Sequence, residues 1–170
     1  MTKEERVARA AKQSAERQSK ALRSLAHCLA RSNVMRYHHD GLVLEMLDPA
    51  DADAFTLVKK QRFAAYVCFW FAGLAAVIER HQELSRRGTI PAFAPLDGLL
   101  SEAFIDILKP FRNAVAHCSD HDDERVLALL GAAEVVPAQA AAIADAFRDY
   151  FVHYEPSIYS SAETSEPPPA

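Results

Sequence analysis

The sequence predicts an all-α protein, an antiparallel helical bundle with a long N-terminal helix. Apolar residues recur every three or four positions, and no segment keeps the apolar–polar alternation of a strand over a useful length. Glycine and proline are scarce, with five and nine in 170 residues, and four of the prolines fall in the last fifteen. With 50% apolar and 25% charged residues, the chain is typical of one globular domain. We expect that domain to span residues 1–155, followed by a disordered tail at residues 156–170.

The first predicted helix begins at a capping box, Thr2 with Glu5 three residues later, and continues to Arg31. Its second half carries an apolar stripe at helical spacing over residues 22–29, which requires a packing partner. Residues 1–20 have only one valine and a few alanines to bury, so we expect them to project as a basic helix.

A polar break is expected at residues 32–47, and a second helix from about residue 50 to 86, ended by Gly88. The centre of that helix, residues 63–78, holds no charge, which indicates burial in the core of the bundle. This stretch is shorter than the ~20 residues that span a bilayer, so we expect no membrane contact. The alternative, a membrane-associated helix pair, would show as detergent dependence during purification.

The rest of the chain predicts further helices. Asp97 is expected to cap a helix over residues 99–108, and Pro110 to start or kink the segment that follows. An acidic loop and a short helix are expected between residues 119 and 131, and the last helix over residues 138–154.

Composition, motifs and charge limit the classes of function. Three scattered cysteines and the absence of an apolar leader predict reduced thiols, no secretory signal and a cytoplasmic protein. No glycine-rich phosphate loop, H-E-x-x-H or G-x-S-x-G motif occurs, which excludes the commonest nucleotide hydrolases, metalloproteases and esterases. Residues 1–38 carry nine basic and three acidic side chains, whereas residues 97–170 carry four and thirteen. The basic segment permits contact with nucleic acid or with an acidic surface of another copy, and a solvated helix face explains it equally well.

One stretch carries the residue types of a catalytic site. Residues 109–117 read Lys-Pro-Phe-Arg-Asn-Ala-Val-Ala-His, so Arg112 and Asn113 precede His117 on one predicted helix. Asn113 and His117 are i and i+4, so the amide can hold the imidazole in one tautomer, while Arg112 lies about 140° round the helix from His117. Histidine moves protons near neutral pH, and arginine can hold a phosphate as it gains negative charge.

This stretch resembles the signature of the HEPN superfamily: an arginine, a polar residue that is often asparagine, then a histidine after a gap of four to six. The resemblance covers roughly residues 50–154 and implies a homodimer formed through the motif helix. It also implies a metal-independent endoribonuclease of toxin–antitoxin or phage-defence type, with Arg112, Asn113 and His117 as catalytic residues. The implied partners are an RNA substrate and an antitoxin or regulatory protein, and no cofactor is implied.

Two other pairs fit the bare pattern, Arg31 with His38 and Arg148 with His153. We expect the first pair to lie across the polar break, and the residues between the second pair to be core side chains. Between Arg112 and His117 the small residues allow a second helix to approach closely. The alternative function is a catalytically inactive module that binds RNA, nucleotide or a protein partner. A basic groove near the motif would favour catalysis, and an apolar or acidic surround would favour assembly.

Two features lie just beyond the motif. In HEPN toxins silenced by a nucleotidyltransferase, a tyrosine typically follows the motif histidine by two positions, and this chain has Ser119 there, which puts such control in doubt. Residues 117–123 contain histidine, cysteine and aspartate, the ligand types of a metal site. Because acidic loops at helix ends are usually solvated, we expect no metal.

Overall fold

A computed structural model describes residues 2–48, 56–117 and 135–160 of the chain. These residues form six helices and connecting turns, without a strand: α1 (Lys3–Met46), α2 (Leu57–Arg86), α3 (Ala94–Asp97), α4 (Glu102–His117), α5 (Val135–Tyr154) and α6 (Ser157–Ser160). The predicted all-α bundle with a long N-terminal helix is confirmed. Residues 119–131, for which a loop and a short helix were predicted, lie outside the described residues.

Helix α1 starts where the sequence predicts. The Thr2 hydroxyl accepts a hydrogen bond from the Glu5 backbone N–H at 3.2 Å, and the Glu5 carboxylate accepts one from the Thr2 N–H at 2.7 Å. The predicted stripe over residues 22–29 is buried against the other helices. Both local signals, the capping box and the apolar period, are therefore confirmed.

The predicted break at residues 32–47 is wrong, because α1 continues without interruption to Met46. Two polar residues that suggested the break are buried at the α1–α2 contact. The Ser32 hydroxyl donates to the Trp70 carbonyl oxygen at 2.9 Å, and the His39 ring packs against Phe63 and Trp70. A polar side chain with a partner is compatible with a buried helical face.

Helix α2 packs antiparallel to α1 and forms the centre of the core. Residues near position 38 of α1 contact residues near 66 of α2, and Ser32 contacts residues 70–73. The side chains of Trp70 and Phe71 are almost fully buried. Among the described residues, α2 is the one helix that is long and apolar enough to cross a membrane by length and composition. It ends as predicted at Gly88, whose φ of 63° suits glycine.

The following segment differs from the prediction. Asp97 closes the four-residue α3 and accepts a hydrogen bond from the Phe93 N–H at 3.1 Å, so it caps no helix that follows. Helix α4 starts after Ser101, whose hydroxyl accepts from the Phe104 N–H at 3.2 Å. Pro110 lies inside α4, which runs through it to His117.

Helix α5 closes the bundle through three buried aromatic rings, Phe147, Tyr150 and Phe151. It begins at Val135, three residues before the predicted start. Ser157–Ser160, which the sequence assigned to the tail, form the short helix α6. The prediction of a disordered tail remains a prediction for residues 161–170, which lie outside the described residues.

Candidate active site

Helix α4 places Arg112 at the surface because its neighbour Phe111 is anchored in the core. The Phe111 ring meets Phe71 of α2 edge to face, with ring centroids 4.9 Å apart. Phe111 and Leu108 are almost fully buried, and Arg112, one position further round the helix, has 43% of its side chain exposed. Core packing of α4 on α2 therefore fixes the point from which the arginine leaves the helix.

The Arg112 guanidinium is held on two sides. One terminal nitrogen forms a hydrogen-bonded ion pair with the Glu79 carboxylate of α2, and the other donates to the Asn113 side-chain oxygen at 3.4 Å. A guanidinium has five N–H groups, so these two bonds leave three available for another acceptor such as a phosphate. The arrangement can orient the arginine without using all of its donors.

Asn113 is exposed beside Arg112 and uses its side-chain oxygen in that contact. The side-chain N–H groups of Asn113 are then available to donate a hydrogen bond to an imidazole nitrogen. His117 is the last residue of α4, so the motif does share one helix, as the sequence predicts. The side chain of His117 lies outside the described residues, as does the possible metal-binding segment 118–123.

The C-terminal part of α2 next to Glu79 is rich in arginine. Arg86 and Arg87 lie there together with Glu79 and Glu83 along a shallow groove of about 530 Å³. Arg80, on the same helix, forms an ion pair with Glu83. The hydrogen bond from Arg80, with the nearby charges of the arginines, holds the pKa of the half-buried Glu83 carboxyl below its usual value. Arg80 and Arg87 pair with Glu83, and Arg112 pairs with Glu79, so four arginines share two carboxylates and this surface carries a small excess of positive charge.

Glu79 is a residue of the candidate site that the sequence does not predict. It lies 33 positions from Arg112, and it is one of two acidic residues of α2, with no local pattern to distinguish it from Glu83. The contact arises from the packing of α2 on α4, which a single sequence does not specify.

The prediction that a break separates Arg31 from His38 is wrong. Arg31 and His38 lie on the same continuous helix α1, not across a break. Their Cα atoms are about 10.5 Å apart along the axis by the helical rise, and the His38 ring stacks on Tyr66 with centroids 5.3 Å apart. This spacing is long for two side chains of one protomer that must contact the same RNA phosphate. Arg31 and His38 therefore offer a control pair for the assigned site.

The other pair, Arg148 and His153, lies on α5. Two residues between them, Tyr150 and Phe151, are fully buried as predicted, whereas Val152 is exposed. Arg148 lies within 4.0 Å of two surface carboxylates, and the His153 ring stacks on Phe93. The core side chains thus separate the two polar groups.

Within residues 2–48, 56–117 and 135–160, no group of three or more histidine, cysteine or acidic side chains is placed to hold a metal. Comparison with protein-family models, with curated proteins and with solved structures gives no match.

Proposed function

We propose that this chain is a HEPN-like, metal-independent endoribonuclease that works in the cytoplasm as a homodimer formed through α4. The observation that carries the proposal is the exposed pair Arg112–Asn113 on the helix that ends at His117. The guanidinium keeps free donors, and the adjoining end of α2 carries three arginines beside two carboxylates.

The reaction requires a base, an anion-binding group and an RNA 2′-hydroxyl. His117 removes the 2′-hydroxyl proton, and the 2′-oxygen attacks the adjacent phosphorus while the bond to the 5′-oxygen breaks. Arg112 holds the non-bridging oxygens as they gain negative charge, which lowers the barrier electrostatically. A proton delivered by an imidazolium gives a 5′-hydroxyl, and the other fragment ends in a 2′,3′-cyclic phosphate.

The dimer supplies the geometry that one helix lacks. On a single helix Arg112 and His117 are about 140° apart, so they diverge. Where two copies of α4 cross, the arginine of one copy can lie near the histidine of its partner. A toxin–antitoxin or phage-defence role, with an antitoxin or regulatory protein as partner, is part of the same proposal.

The second candidate is an inactive module that binds RNA, nucleotide or a protein. The ion pair of Arg112 with Glu79 favours it, because that carboxylate competes with phosphate for the guanidinium. The two candidates predict different results in one cleavage assay.

The test is RNA cleavage in EDTA by the wild type and by the variants His117→Ala and Arg112→Ala. The proposal predicts cleavage by the wild type and a loss of at least 100-fold in both variants. The matched controls, His38→Ala and Arg31→Gln, retain wild-type rates because their pair serves no site. If the wild type is a folded dimer and leaves the RNA intact, the enzyme proposal is wrong and the binding module takes its place. If the control variants lose as much cleavage activity as His117→Ala and Arg112→Ala, the assigned site is wrong.

A further inference from the structure

The N-terminal third of α1 has no packing partner in the part of the chain that the structure describes. Every residue from Thr2 to Arg17 is exposed, and burial begins only at Leu22. The antiparallel contacts explain this, since Ser32 opposite residues 70–73 puts the end of α2, at Arg86, opposite about residue 18 of α1. Residues 3–17 thus extend about 22 Å past the end of α2. We call residues 3–20 the basic arm.

Six cationic side chains cover about half the circumference of the basic arm. At 100° per residue they fall within one 180° sector, and the alanines fall mainly on the opposite side. The cations are Lys3, Arg6, Arg9, Lys12, Arg17 and Lys20. Successive cations are mostly three residues apart, so the row is about 25 Å long from first to last.

The cations of the basic arm are not neutralised by neighbours. None of the six forms an ion pair within the described ranges, whereas Arg23, the next cation along α1, pairs with Glu155 at 3.3 Å. Three carboxylates lie in the arm. Glu4 lies on the alanine side by its position, whereas Glu5 and Glu16 lie in the sector of the cations, where the Glu5 carboxylate accepts the Thr2 N–H in the capping box.

We propose that the basic arm binds the phosphate backbone of single-stranded RNA and delivers it to the site proposed above. This inference rests on the proposed function and names the element that attracts its substrate. A row of unpaired cations complements a polyanion, and an acidic molecule such as this one needs an attractive element away from its own carboxylates. Binding of this kind follows charge and not base sequence, because phosphate contacts position RNA without reading it.

The arm is tested by titrating a fluorescent 20-nucleotide single-stranded RNA in EDTA at several salt concentrations. The variant Arg6→Gln/Arg9→Gln/Lys12→Gln removes three positive charges and keeps good helix formers. The control, Lys59→Gln/Lys60→Gln/Arg62→Gln at the start of α2, removes the same charge elsewhere. Both sets are made in the His117→Ala background so that the probe stays intact, and circular dichroism checks that helicity is kept.

Neutralising the arm should weaken binding at least tenfold at 50 mM salt. It should also reduce the slope of log K against log salt by about two, since each single-strand phosphate contact contributes ~0.7. The control triple variant should change the slope by less than half of that amount. With His117 restored, the arm variant should show a raised KM and an unchanged kcat.

An unchanged slope in the arm variant, or an equal change in the control, would overturn the inference. If the arm variant instead shifts from dimer to monomer in sedimentation velocity while the affinity for RNA stays the same, the arm contacts an acidic surface of a second copy and the inference is wrong. Binding is measured separately from cleavage. If the wild type cleaves no RNA and the arm variant still reduces the salt slope of binding as predicted, the nuclease proposal is wrong and the RNA-binding arm stands.

Discussion

At the scale of single residues, the geometry of Arg112 is central to the proposed site. Its guanidinium bridges Glu79 and Asn113, which requires a planar group with several donors in fixed directions. A lysine keeps the charge and offers only a compact ammonium. The two residues therefore differ in geometry at equal charge.

We expect Arg112→Lys to lower kcat/KM for RNA at least tenfold, because the paired bonds to phosphate oxygens are lost. The free energy of unfolding should change by less than about 1 kcal/mol, as half-exposed ion pairs contribute little. Steady-state kinetics and urea denaturation of the same preparation measure both quantities. Full activity in the lysine variant would show that only charge matters at this position.

His81 of α2 predicts a pH dependence of stability. Its ring is almost fully buried, contacts the rings of Phe147 and Tyr150, and neither ring nitrogen has a hydrogen-bond partner within the described residues. Burial lowers the pKa of His81, and the charge of Asp97 opposes this more weakly. The unfolded chain therefore binds a proton at a pH where the folded chain does not.

The free energy of unfolding should fall as the pH drops below about 6.5, by at most ~1.4 kcal/mol per pH unit. The variant His81→Leu should remove this slope between pH 7.5 and 5.5, and the exposed control His153→Leu should keep it. Urea denaturation at four pH values measures the slopes. If the pH dependence of the free energy of unfolding persists in His81→Leu, other titratable groups cause it.

At the scale of elements, most local signals are confirmed, the cap predicted at Asp97 is wrong, and the long-range contacts were not predicted. The capping box at Thr2, the stripe at 22–29 and the glycine stop at Gly88 are confirmed because each depends on a few neighbouring residues. The supposed break in α1 is wrong because Ser32 finds its partner on α2. Likewise the pairing of Arg112 with Glu79 follows from helix packing, which one sequence does not encode in any short pattern.

The close contact of α1 and α2 predicts opposite effects of two glycine substitutions. A Cβ on Gly73 would lie 2.9 Å from the Ser32 Cβ, whereas a Cβ on the exposed Gly41 of α1 would meet nothing within 4 Å. Gly73→Ala should destabilise by about 1–2 kcal/mol through overpacking. Gly41→Ala should stabilise by about 0.5–1 kcal/mol because alanine favours helix. Chemical denaturation decides, and a stabilising Gly73→Ala would contradict this packing.

At the scale of the whole molecule, positive charge is concentrated in two parts of the chain. The basic arm and the arginine-rich end of α2 are exceptions on a chain whose net charge is −4. In the proposed dimer, each site takes the arginine of one protomer and the histidine of its partner. A site shared in this way can be intact in a dimer of two different inactive variants.

Mixing equal amounts of the Arg112→Ala and His117→Ala proteins should restore activity that neither has alone. Random exchange makes half of the dimers mixed, and each mixed dimer has one intact site, so about a quarter of wild-type activity is expected. RNA cleavage after unfolding and joint refolding measures it, with each variant refolded alone as the control. No recovery in demonstrably mixed dimers would place both residues of a site on one chain.

The central claim, cleavage through the 2′-oxygen without metal, is tested most directly by the ends of the products. Wild-type protein is incubated with a defined RNA in EDTA, and the fragments are identified by mass spectrometry. We expect 2′,3′-cyclic phosphates and 5′-hydroxyls, and no cleavage of the same RNA carrying 2′-O-methyl groups. Fragments with 5′-phosphates, or cleavage that appears only when a divalent metal is added, would contradict it.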